Sequence, residues 1–480
     1  MPHEDILDID TIYIDGRFVT PHGTELFDLH NPATGAVTGR VRLADEEDAR
    51  AAIAAAKRAF PAFSRTDKAG RIAMLQRMAD AVAERRGDLL DAIIDEYGAP
   101  VSRAAFMADH PVNVLREAAD LLADYPFVRR MGTAEVSMEP LGVAGLITPW
   151  NSDAGFICGK LATAIAAGCT AVIKPSEMSA RQTRIVTEAL HAAGLAPGLF
   201  NIVTGRGDRV GAAISSHADV AKISFTGSTA TGKAILRAAV DTLKRVTLEL
   251  GGKSPTVILD DADLSRAIPL AVSAAFMNSG QACIAGTRLL APRSRLAEIE
   301  SLAKAAVETV RAGDPRDPET TVGPMVSRTQ WERVQRYIRI GMEEGAVLLA
   351  GGEGRPEGQS VGGWFVRPTL FTAVRNDMTI AREEIFGPVL SIIPYGDEEE
   401  AVAIANDTIY GLQAYVLSGD TARARRVADR IVAGRVLINS LAHDPKAPFG
   451  GFKQSGIGRE YGSFGLDAFL EPKTLLGEGV

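Results

Sequence analysis

The sequence predicts an α/β protein built on parallel sheets. Between Val143 and Gly227, short apolar runs alternate with helical stretches, which is the pattern of a β-α-β-α series. Such series form parallel sheets with helices on both faces, and they bind ligands at the carboxyl ends of the strands. The chain has 480 residues, which is too long for one ordinary core and indicates two or three domains.

The chain opens with a strand pair and two helices. Ile12 to Val19 alternates around Asp15-Gly16, a strong hairpin turn signal. Asp45 stands before a helical run, where an aspartate is a good N-cap. The next helix carries one apolar face formed by Ile72, Leu75, Met78 and Val82.

The alternating series and a second block make up the rest of the chain. The series has strands at 143–147, 170–174, 199–203 and 222–227, and helices at 160–167, 181–193 and 211–216. The second α/β block begins near Gly251, with helices over 264–278 and 295–312. The glycine-rich stretch 351–363 predicts a surface loop. After Gly465, the tail contains FLEPKTLL, an apolar strand without an evident local partner.

Composition excludes several classes of protein. Hydrophobic residues make up 46% and charged residues 23%, the balance of a soluble globular protein. The net charge of -8 argues against a nucleic-acid binder, which needs basic clusters. Cys158, Cys169 and Cys283 form neither a disulfide framework nor a metal-ligand spacing, which indicates a reducing compartment. Without a signal-peptide pattern or an apolar stretch of membrane-spanning length, we expect a cytoplasmic enzyme with a small-molecule substrate.

Two segments at predicted strand ends suit a nucleotide. Phe225 to Gly232 runs from a strand through a Gly-x-x-x-x-Gly turn into a helix, where backbone N–H groups bind phosphate. Lys174 and Glu177 follow another strand and suit the two hydroxyls of a ribose. The alternatives are an ordinary turn for the first segment and a solvated loop for the second.

Two further segments suit covalent catalysis. Cys283 follows a turn among polar residues, and a low-pKa thiolate there would be a nucleophile, whereas a lone cysteine is more often a packing residue. Glu249 lies between two leucines and before Gly251-Gly252. A buried glutamate has the raised pKa of a general base, and the alternative is an edge-strand glutamate facing solvent.

Together these segments resemble the aldehyde dehydrogenase superfamily over nearly the whole chain. The family's patterns appear here, in the family's order, as Ile147-Thr-Pro-Trp-Asn151, Lys174-Pro-Ser-Glu177, Phe225-Thr-Gly-Ser-Thr229 with Gly232, Leu248-Glu-Leu-Gly-Gly252, Asn278 with Gly280-Gln281, Cys283 and Arg288, Glu384-Ile-Phe-Gly-Pro388, Tyr410-Gly411-Leu412, and Pro448-Phe-Gly-Gly451 through Gly458-Arg-Glu460. An ordered set of this kind outweighs the alternatives given for each segment alone.

The resemblance implies a fold of three parts. A Rossmann-type dinucleotide-binding domain would comprise residues 1–121 and 141–251, and an α/β catalytic domain residues 252–453. A small strand extension, residues 122–140 and 466–480, would pair with another subunit, which would account for the FLEPKTLL strand. The resemblance also implies NAD as cofactor and a homodimer or homotetramer.

The resemblance assigns roles residue by residue. Cys283 would attack the aldehyde, the Asn151 amide and the Cys283 N–H would hold the oxyanion, and Glu249 would activate the hydrolytic water. Lys160 and Glu460 match a possible proton path, although both suit a structural role equally. The cofactor would be bound by Ile147, Thr148, Pro149, Trp150, Lys174, Ser176, Glu177, Gly207, Gly211, Phe225, Thr226, Gly227, Ser228, Leu250, Glu384 and Phe386. No metal is expected.

The substrate pocket is where the chain departs from the family. It has Ser152-Asp153 where many members have Phe-Pro, and Gly159 where many have a bulky residue. The expected pocket residues are Ser152, Asp153, Phe156, Gly159, Ile284, Leu441 and His443. Small side chains would admit a medium-to-large apolar or aromatic aldehyde, and an inward Asp153 would disfavour a second carboxylate. The alternative is that neighbouring residues fill the space.

Two other functions compete with this one. A CoA-acylating semialdehyde dehydrogenase of the same superfamily would lack the base at Glu249, and its presence favours hydrolysis. A non-catalytic structural protein on the same fold has no need of Cys283, Glu249 and Asn151, yet all three are present.

Overall fold

The computed structural model describes residues 7–478, so the first six residues of the predicted first domain and the last two of the predicted extension lie outside the described residues. The strands are β1 (Leu7–Ile9), β2 (Ile12–Ile14), β3 (Arg17–Val19), β4 (Leu26–His30), β5 (Val37–Arg42), β6 (Val128–Met131), β7 (Ala134–Pro140), β8 (Val143–Ile147), β9 (Thr170–Lys174), β10 (Phe200–Ile202), β11 (Val220–Thr226), β12 (Arg245–Glu249), β13 (Pro255–Ile258), β14 (Arg288–Pro292), β15 (Val347–Ala350), β16 (Thr369–Thr372), β17 (Val389–Tyr395), β18 (Gln413–Leu417), β19 (Arg435–Ile438), β20 (Gly456–Ile457) and β21 (Leu470–Leu475).

The helices are α1 (Glu46–Phe63), α2 (Lys68–Glu84), α3 (Arg86–Ala92), α4 (Val101–Asp124), α5 (Asp153–Ala167), α6 (Ala180–Ala192), α7 (Ala212–Ser216), α8 (Thr229–Ala239), α9 (Leu264–Phe276), α10 (Leu296–Glu308), α11 (Arg328–Glu343), α12 (Thr379–Arg382), α13 (Glu398–Asn406), α14 (Thr421–Ala428) and α15 (Gly462–Asp467). Shorter helical turns occupy Ile93–Tyr97, Glu177–Ser179, Gly207–Gly211, Val240–Thr242, Met277–Gly280, Arg293–Arg295 and Lys453–Ser455. In the described part of the chain, none of these helices is long and apolar enough to cross a membrane.

Local sequence signals explain the first elements. Asp15 (φ 53°) and Gly16 (φ 77°) make the left-handed turn between β2 and β3, as the sequence predicts. Asp45 caps α1, because its carboxylate accepts the N–H of Glu47 at 2.9 Å and the Asp48 carboxylate accepts the N–H of Asp45 at 3.0 Å.

The first large sheet has the order β20-β12-β11-β8-β9-β10-β2-β3. Its five central strands, β12 to β10 in that order, run parallel. At the edges, β20 pairs antiparallel with β12, β2 with β10, and β3 with β2. Their carboxyl ends bring Ile147, Lys174, Thr226 and Glu249 to one edge. The predicted α/β class is confirmed by this sheet, which positions the predicted cofactor residues.

The second large sheet has the order β15-β16-β17-β14-β13-β18-β19 and is parallel except for β15. The chain passes from β12 directly through Leu250–Ser254 into β13. The carboxyl edge of the first sheet therefore meets the amino edge of the second. Pro255 is in register with Arg288, and Gln413 with Arg435, so the segments entering these strands share that edge.

A third sheet, β21-β7-β6, corrects one expectation about the tail. The strand within FLEPKTLL is β21, and it pairs antiparallel with β7 of the same chain, from Leu470 opposite Pro140 to Leu475 opposite Glu135. The tail therefore pairs within its own chain, but its partner is distant in sequence, since 329 residues separate the two strands. Pairing of this extension with another subunit stays a prediction, as do the domain boundaries.

Candidate active site

Cys283 lies on a strained and tightly anchored loop. Asn278 and Ser279 both adopt left-handed backbone angles (φ 54° and 58°), and Gly280 follows at 72°. The Tyr97 hydroxyl donates to the Asn278 carbonyl at 3.2 Å, and the buried Gln281 amide oxygen accepts the N–H of Val326 at 3.0 Å. The loop thus presents Cys283 in one fixed, half-buried position between the two large sheets.

Glu249 ends β12 as a buried carboxylate, 3% exposed. Neither of its carboxylate oxygens has a hydrogen-bond partner among residues 7–478, and burial raises its pKa well above the usual value. A Cβ placed on Gly450 would lie 2.6 Å from one of these oxygens, so a glycine there keeps the space beside the carboxylate open. This is the environment of a general base, and the solvent-facing alternative is wrong.

The pKa of Cys283 corrects another expectation. Burial, together with the carboxylates of Glu384 and Glu249, raises the pKa of the thiol to about 12. The low-pKa thiolate predicted from polar sequence neighbours is therefore wrong, because the nearest charges are negative. The thiol is protonated near neutral pH and must lose its proton to a base in order to react.

Asn151 is joined to the same loop. Its side-chain amide donates to the Gln281 carbonyl at 3.1 Å, and its own carbonyl accepts from the Asn278 side chain at 3.2 Å. An amide NH₂ has two hydrogens, so this bond leaves a second donor for another acceptor. Cys283, Glu249 and Asn151 thus meet where the sheets adjoin, although 131 residues separate the first and last of them along the chain.

Lys160 and Glu460 form a buried ion pair beside Glu249. The Lys160 ammonium donates to Glu460 and, at 2.9 Å, to the Ser224 hydroxyl, which in turn donates to Glu460 at 3.1 Å. Glu460 raises and Lys160 lowers the pKa of Glu249. The two residues named from the sequence are therefore in contact and act electrostatically on Glu249.

Glu177 lies at the wall of a wide groove, and the buried Lys174 lies beside it. Their side chains form an ion pair at 3.2 Å, and Arg206 approaches the other oxygen of Glu177 at 3.6 Å. The groove has a volume of about 790 Å³ and is also lined by Trp150. A cationic donor beside a carboxylate acceptor matches the two hydroxyls of a ribose, so the groove fits the adenosine end of a dinucleotide.

The predicted phosphate turn is built as the sequence indicates. Ser228 caps α8 by accepting the N–H of Thr231 at 3.2 Å, so the positive end of a helix lies at this turn. Gly227 donates its N–H to the backbone carbonyl of Glu249 at 3.0 Å, which ties the turn to the end of β12. The remaining residues named for this region are mostly enclosed or at strand ends: Ile147, Thr148, Pro149, Ser176, Gly211, Phe225, Thr226 and Leu250, with Gly207 at the open start of a helical turn.

Glu384 and Phe386 reach the site from a loop held in place by α11. The half-buried Glu384 carboxylate accepts the N–H of Gly252 at 3.1 Å, and desolvation raises its pKa to about 7. Phe386 has a left-handed backbone (φ 63°) and packs edge-on against Trp150 at 5.5 Å. Gln330 donates to the Phe386 carbonyl at 2.7 Å, and its role has no signal in the sequence.

Gly251 and Gly252 leave room for both functional side chains. A Cβ on Gly251 would lie 2.5 Å from a Glu384 carboxylate oxygen, and one on Gly252 would collide with the carbonyl of Cys283. The glycine pair after Glu249 therefore lets the nucleophile loop and the Glu384 loop approach the same backbone.

Asp153 does not line the substrate pocket. Its carboxylate is fully buried and accepts hydroxyl hydrogens from Thr148 at 3.2 Å and Thr183 at 2.9 Å. Desolvation raises its pKa to about 8. The expectation that it faces the pocket and repels a second carboxylate is wrong, because it is the first residue of α5 and faces the helix packing behind the site.

Gly159 does not open a large space either. The cavity beside it, bordered by Phe156, Lys160 and Tyr461, measures about 20 Å³, enough for one water molecule. Val114 lies 3.8 Å from where a Cβ would be. Neighbouring side chains fill the position, as the alternative interpretation holds.

The other expected pocket residues are spread over two segments. Ser152 and Ile284 are half-buried near Asn151 and Cys283, and the Ile284 carbonyl accepts the Tyr415 hydroxyl at 3.0 Å. Leu441 is half-buried and His443 exposed in the loop after β19. Sequence reasoning missed Tyr415 and Tyr461; the only signal for Tyr461 is that it follows Glu460 directly.

The whole chain is similar to known aldehyde dehydrogenases. The profile of the "Aldehyde dehydrogenase family" matches residues 18–475. The 3-succinoylsemialdehyde-pyridine dehydrogenase of a Pseudomonas species is 46% identical over 98% of this chain and 99% of its own length.

Two solved structures are similar along their whole length. Aldehyde dehydrogenase C of Pseudomonas syringae, a cysteine-to-alanine mutant with NAD+ and octanal, has a TM-score of 0.95 at 45% identity, covering 99% of this chain and 97% of that one. A Mycobacterium tuberculosis aldehyde dehydrogenase with NAD+ has a TM-score of 0.96 at 39% identity, covering 99% and 100%.

Proposed function

The chain belongs to the aldehyde dehydrogenase family, and we propose on that premise that it oxidises a medium-to-large apolar or aromatic aldehyde to the carboxylic acid with NAD, through a thioester on Cys283. The observation that carries the proposal is the meeting of a thiol, an unpartnered buried carboxylate and an anchored amide at Cys283, Glu249 and Asn151. These are the three groups needed for attack, proton transfer and oxyanion binding.

The first step forms a carbon–sulfur bond. Glu249 or the surrounding water takes the thiol proton, since the raised pKa of Cys283 leaves it protonated. The sulfur attacks the aldehyde carbon, and the free amide hydrogen of Asn151 and the Cys283 N–H stabilise the negative oxygen. NAD, if bound there, would supply the hydride acceptor, and loss of hydride from that carbon would leave a thioester on Cys283.

The second step hydrolyses the thioester. Glu249 removes a proton from water, the oxygen bonds to the acyl carbon, and the carbon–sulfur bond breaks to release the acid and the thiolate of Cys283. A carboxylate with a raised pKa is a stronger base than an exposed glutamate. The Lys160–Glu460 pair beside Glu249 would carry the proton outward, and the alternative is that the pair is structural.

The cofactor residues divide between two ends of the groove. Lys174 and Glu177 would hold the adenosine ribose, and the turn at Gly227 and Ser228 would hold the pyrophosphate. Glu384 would hold the nicotinamide ribose, with Phe386 and Trp150 packing beside it.

The size of the substrate is supported by the relatives rather than by Gly159. One relative is named for a pyridine-bearing semialdehyde, and one solved structure holds octanal.

The presence of Glu249 favours hydrolysis over transfer to CoA. We also propose that the protein works in a reducing compartment, which is consistent with the buried free thiols of Cys158 and Cys169. The oligomer would be a homodimer or homotetramer joined through the β21-β7-β6 extension.

Formation of NADH tests the proposal. The purified protein should reduce NAD to NADH when an aldehyde is added. Its kcat/KM should be higher for octanal and benzaldehyde than for acetaldehyde or succinic semialdehyde. The Cys283→Ala variant should bind NAD and form no NADH, which excludes a contaminating activity. A preference for either small aldehyde contradicts the substrate class, and activity in Cys283→Ala contradicts the mechanism.

A further inference from the structure

A second cavity adjoins the loop that presents Cys283, and the oxidation gives it no role. Its volume is about 320 Å³, and its wall includes Asn278 and Ser279 of that loop. Among the described residues that line it, neither Cys283 nor Glu249 nor Asn151 appears. The cavity is therefore distinct from the place where the thiol, the carboxylate and the amide meet. Its volume lies in the range of cavities that bind small molecules.

Most of the wall is apolar. Helix α9 contributes Val272 and Phe276, and Met277 follows at its end. Val310 and Val322, from the segment after α10, line the cavity as well. Removing apolar surface from water is favourable, so this wall suits a ligand with an apolar body.

Arg103 is the one charged residue among the described residues of this wall, and its charge is not balanced. Its buried Nε has no hydrogen-bond partner among residues 7–478, and its guanidinium stacks on the Phe106 ring, 4.8 Å from the centroid. Burial lowers the pKa of Arg103, and in the same residues no carboxylate acts on it. Arg103 also lies in the first turn of α4, where the positive end of the helix dipole adds to its charge. This wall therefore favours an anion.

The cavity is linked to the nucleophile through the loop. Asn278 and Ser279 have left-handed backbone, and the Ser279 hydroxyl accepts the N–H of Gly323 at 2.9 Å. Tyr97, which donates to the Asn278 carbonyl, is within electrostatic reach of Arg103. A ligand in the cavity thus contacts the residues that hold the loop in place.

We propose that this cavity is a second binding site, which takes a small monocarboxylate with an apolar body. The guanidinium of Arg103 pairs with the carboxylate, and the apolar wall encloses the body of the ligand. Occupancy restrains the turn at Asn278 and Ser279 and thereby slows reactions of Cys283. The site goes beyond the proposed function and does not depend on it, although the acid that the proposed reaction releases belongs to the same class.

Benzoate and benzamide test the binding site, because they have nearly the same shape and only benzoate is charged. Calorimetry should show that the wild type binds benzoate more tightly than benzamide. Arg103→Gln should weaken benzoate about tenfold, the effect of one charge-assisted hydrogen bond, and leave benzamide unchanged. Arg116→Gln is the matched control, since Arg116 lies farther along α4, pairs with Asp80 at 3.6 Å and does not line the cavity. It should leave both affinities unchanged.

A second variant tests the place of binding without removing a charge. Ser273 is exposed and lines the cavity, so Ser273→Phe should obstruct the cavity and weaken benzoate while the fold is kept. Equal affinities of the wild type for benzoate and benzamide would overturn the proposal. Equal losses of benzoate affinity in Arg103→Gln and Arg116→Gln would also overturn it, as would unchanged benzoate binding in Ser273→Phe.

Alkylation of Cys283 separates the cavity from the reaction centre. At a benzoate concentration that saturates the wild type, the rate with iodoacetamide should fall about fivefold, a typical coupling between two sites. The same concentration should leave the rate of Arg103→Gln unchanged. An equal fall in both proteins would place benzoate beside Cys283 and overturn the proposal, and an unchanged wild-type rate would overturn the coupling. If the wild type forms no NADH from any aldehyde, the proposed function is wrong, and these measurements still decide the inference.

Discussion

Alkylation of Cys283 in the protein without cofactor should be slow and should accelerate about tenfold for each pH unit. The pKa of its thiol is raised to about 12 by burial and by the carboxylates of Glu384 and Glu249. A free thiol has a pKa of about 8.5, so near pH 7 the thiolate fraction of Cys283 is lower by roughly three and a half orders of magnitude. A more basic thiolate is more nucleophilic, which raises the alkylation rate again by about one and a half orders of magnitude. The net expectation is a rate roughly 30- to 100-fold below that of a free thiol.

Mass spectrometry after timed exposure to iodoacetamide, between pH 6 and 9, measures this rate at Cys283 alone. Cys158 and Cys169 are fully buried and serve as internal controls that should stay unmodified while the protein is folded. A small thiol in the same tube gives the reference rate. A plateau below pH 8, or a rate within about threefold of the reference, would refute the reasoning, since either requires a thiolate already formed at neutral pH.

Two further predictions concern residues on either side of the reaction centre. Asp153→Asn should leave the ratio of kcat/KM values for octanal and succinic semialdehyde within about twofold of wild type, since Asp153 faces away from the pocket. Because the pKa of Asp153 is raised to about 8, its contribution to stability is full below about pH 4 and is lost as the pH rises towards 8. The difference in apparent Tm between Asp153→Asn and the wild type should therefore shift in favour of the variant by several degrees from pH 5 to pH 8. A difference in Tm that stays constant over this range would contradict the assignment. Glu177 faces the groove and would meet the extra phosphate of NADP with like charge, so the wild type should have a higher kcat/KM with NAD than with NADP. Glu177→Ala should reduce this difference in kcat/KM between the two cofactors. A higher kcat/KM of the wild type with NADP would contradict the assignment.

The elements that the sequence predicts best are those with a local cause. The turn at Asp15-Gly16 needs left-handed backbone, and the cap at Asp45 needs a short acceptor, so both can be inferred from residue type. The parallel sheet follows from the alternation of apolar runs and helices, and it places Lys174 and Glu249 at one edge.

Three of the corrections arise from groups distant in the chain. The polar neighbours of Cys283 suggest an acidic thiol, but the charges that act on it belong to Glu249 and Glu384. Gly159 suggests an open pocket, but Tyr461 borders the same small cavity. The partner of the tail strand is β7, which no local pattern identifies. Residue type predicts what a side chain can do, while the fold decides which charges and rings surround it.

Trapping the acyl-enzyme tests the central claim most directly. Glu249→Gln removes the base for hydrolysis and leaves Cys283 and Asn151 in place. Mixed with NAD and octanal, this variant should release a burst of about one NADH per active site and then turn over slowly, and mass spectrometry should find an octanoyl group on the peptide that contains Cys283. Turnover of Glu249→Gln at the wild-type rate, or a burst without an acyl group on Cys283, would contradict the thioester mechanism.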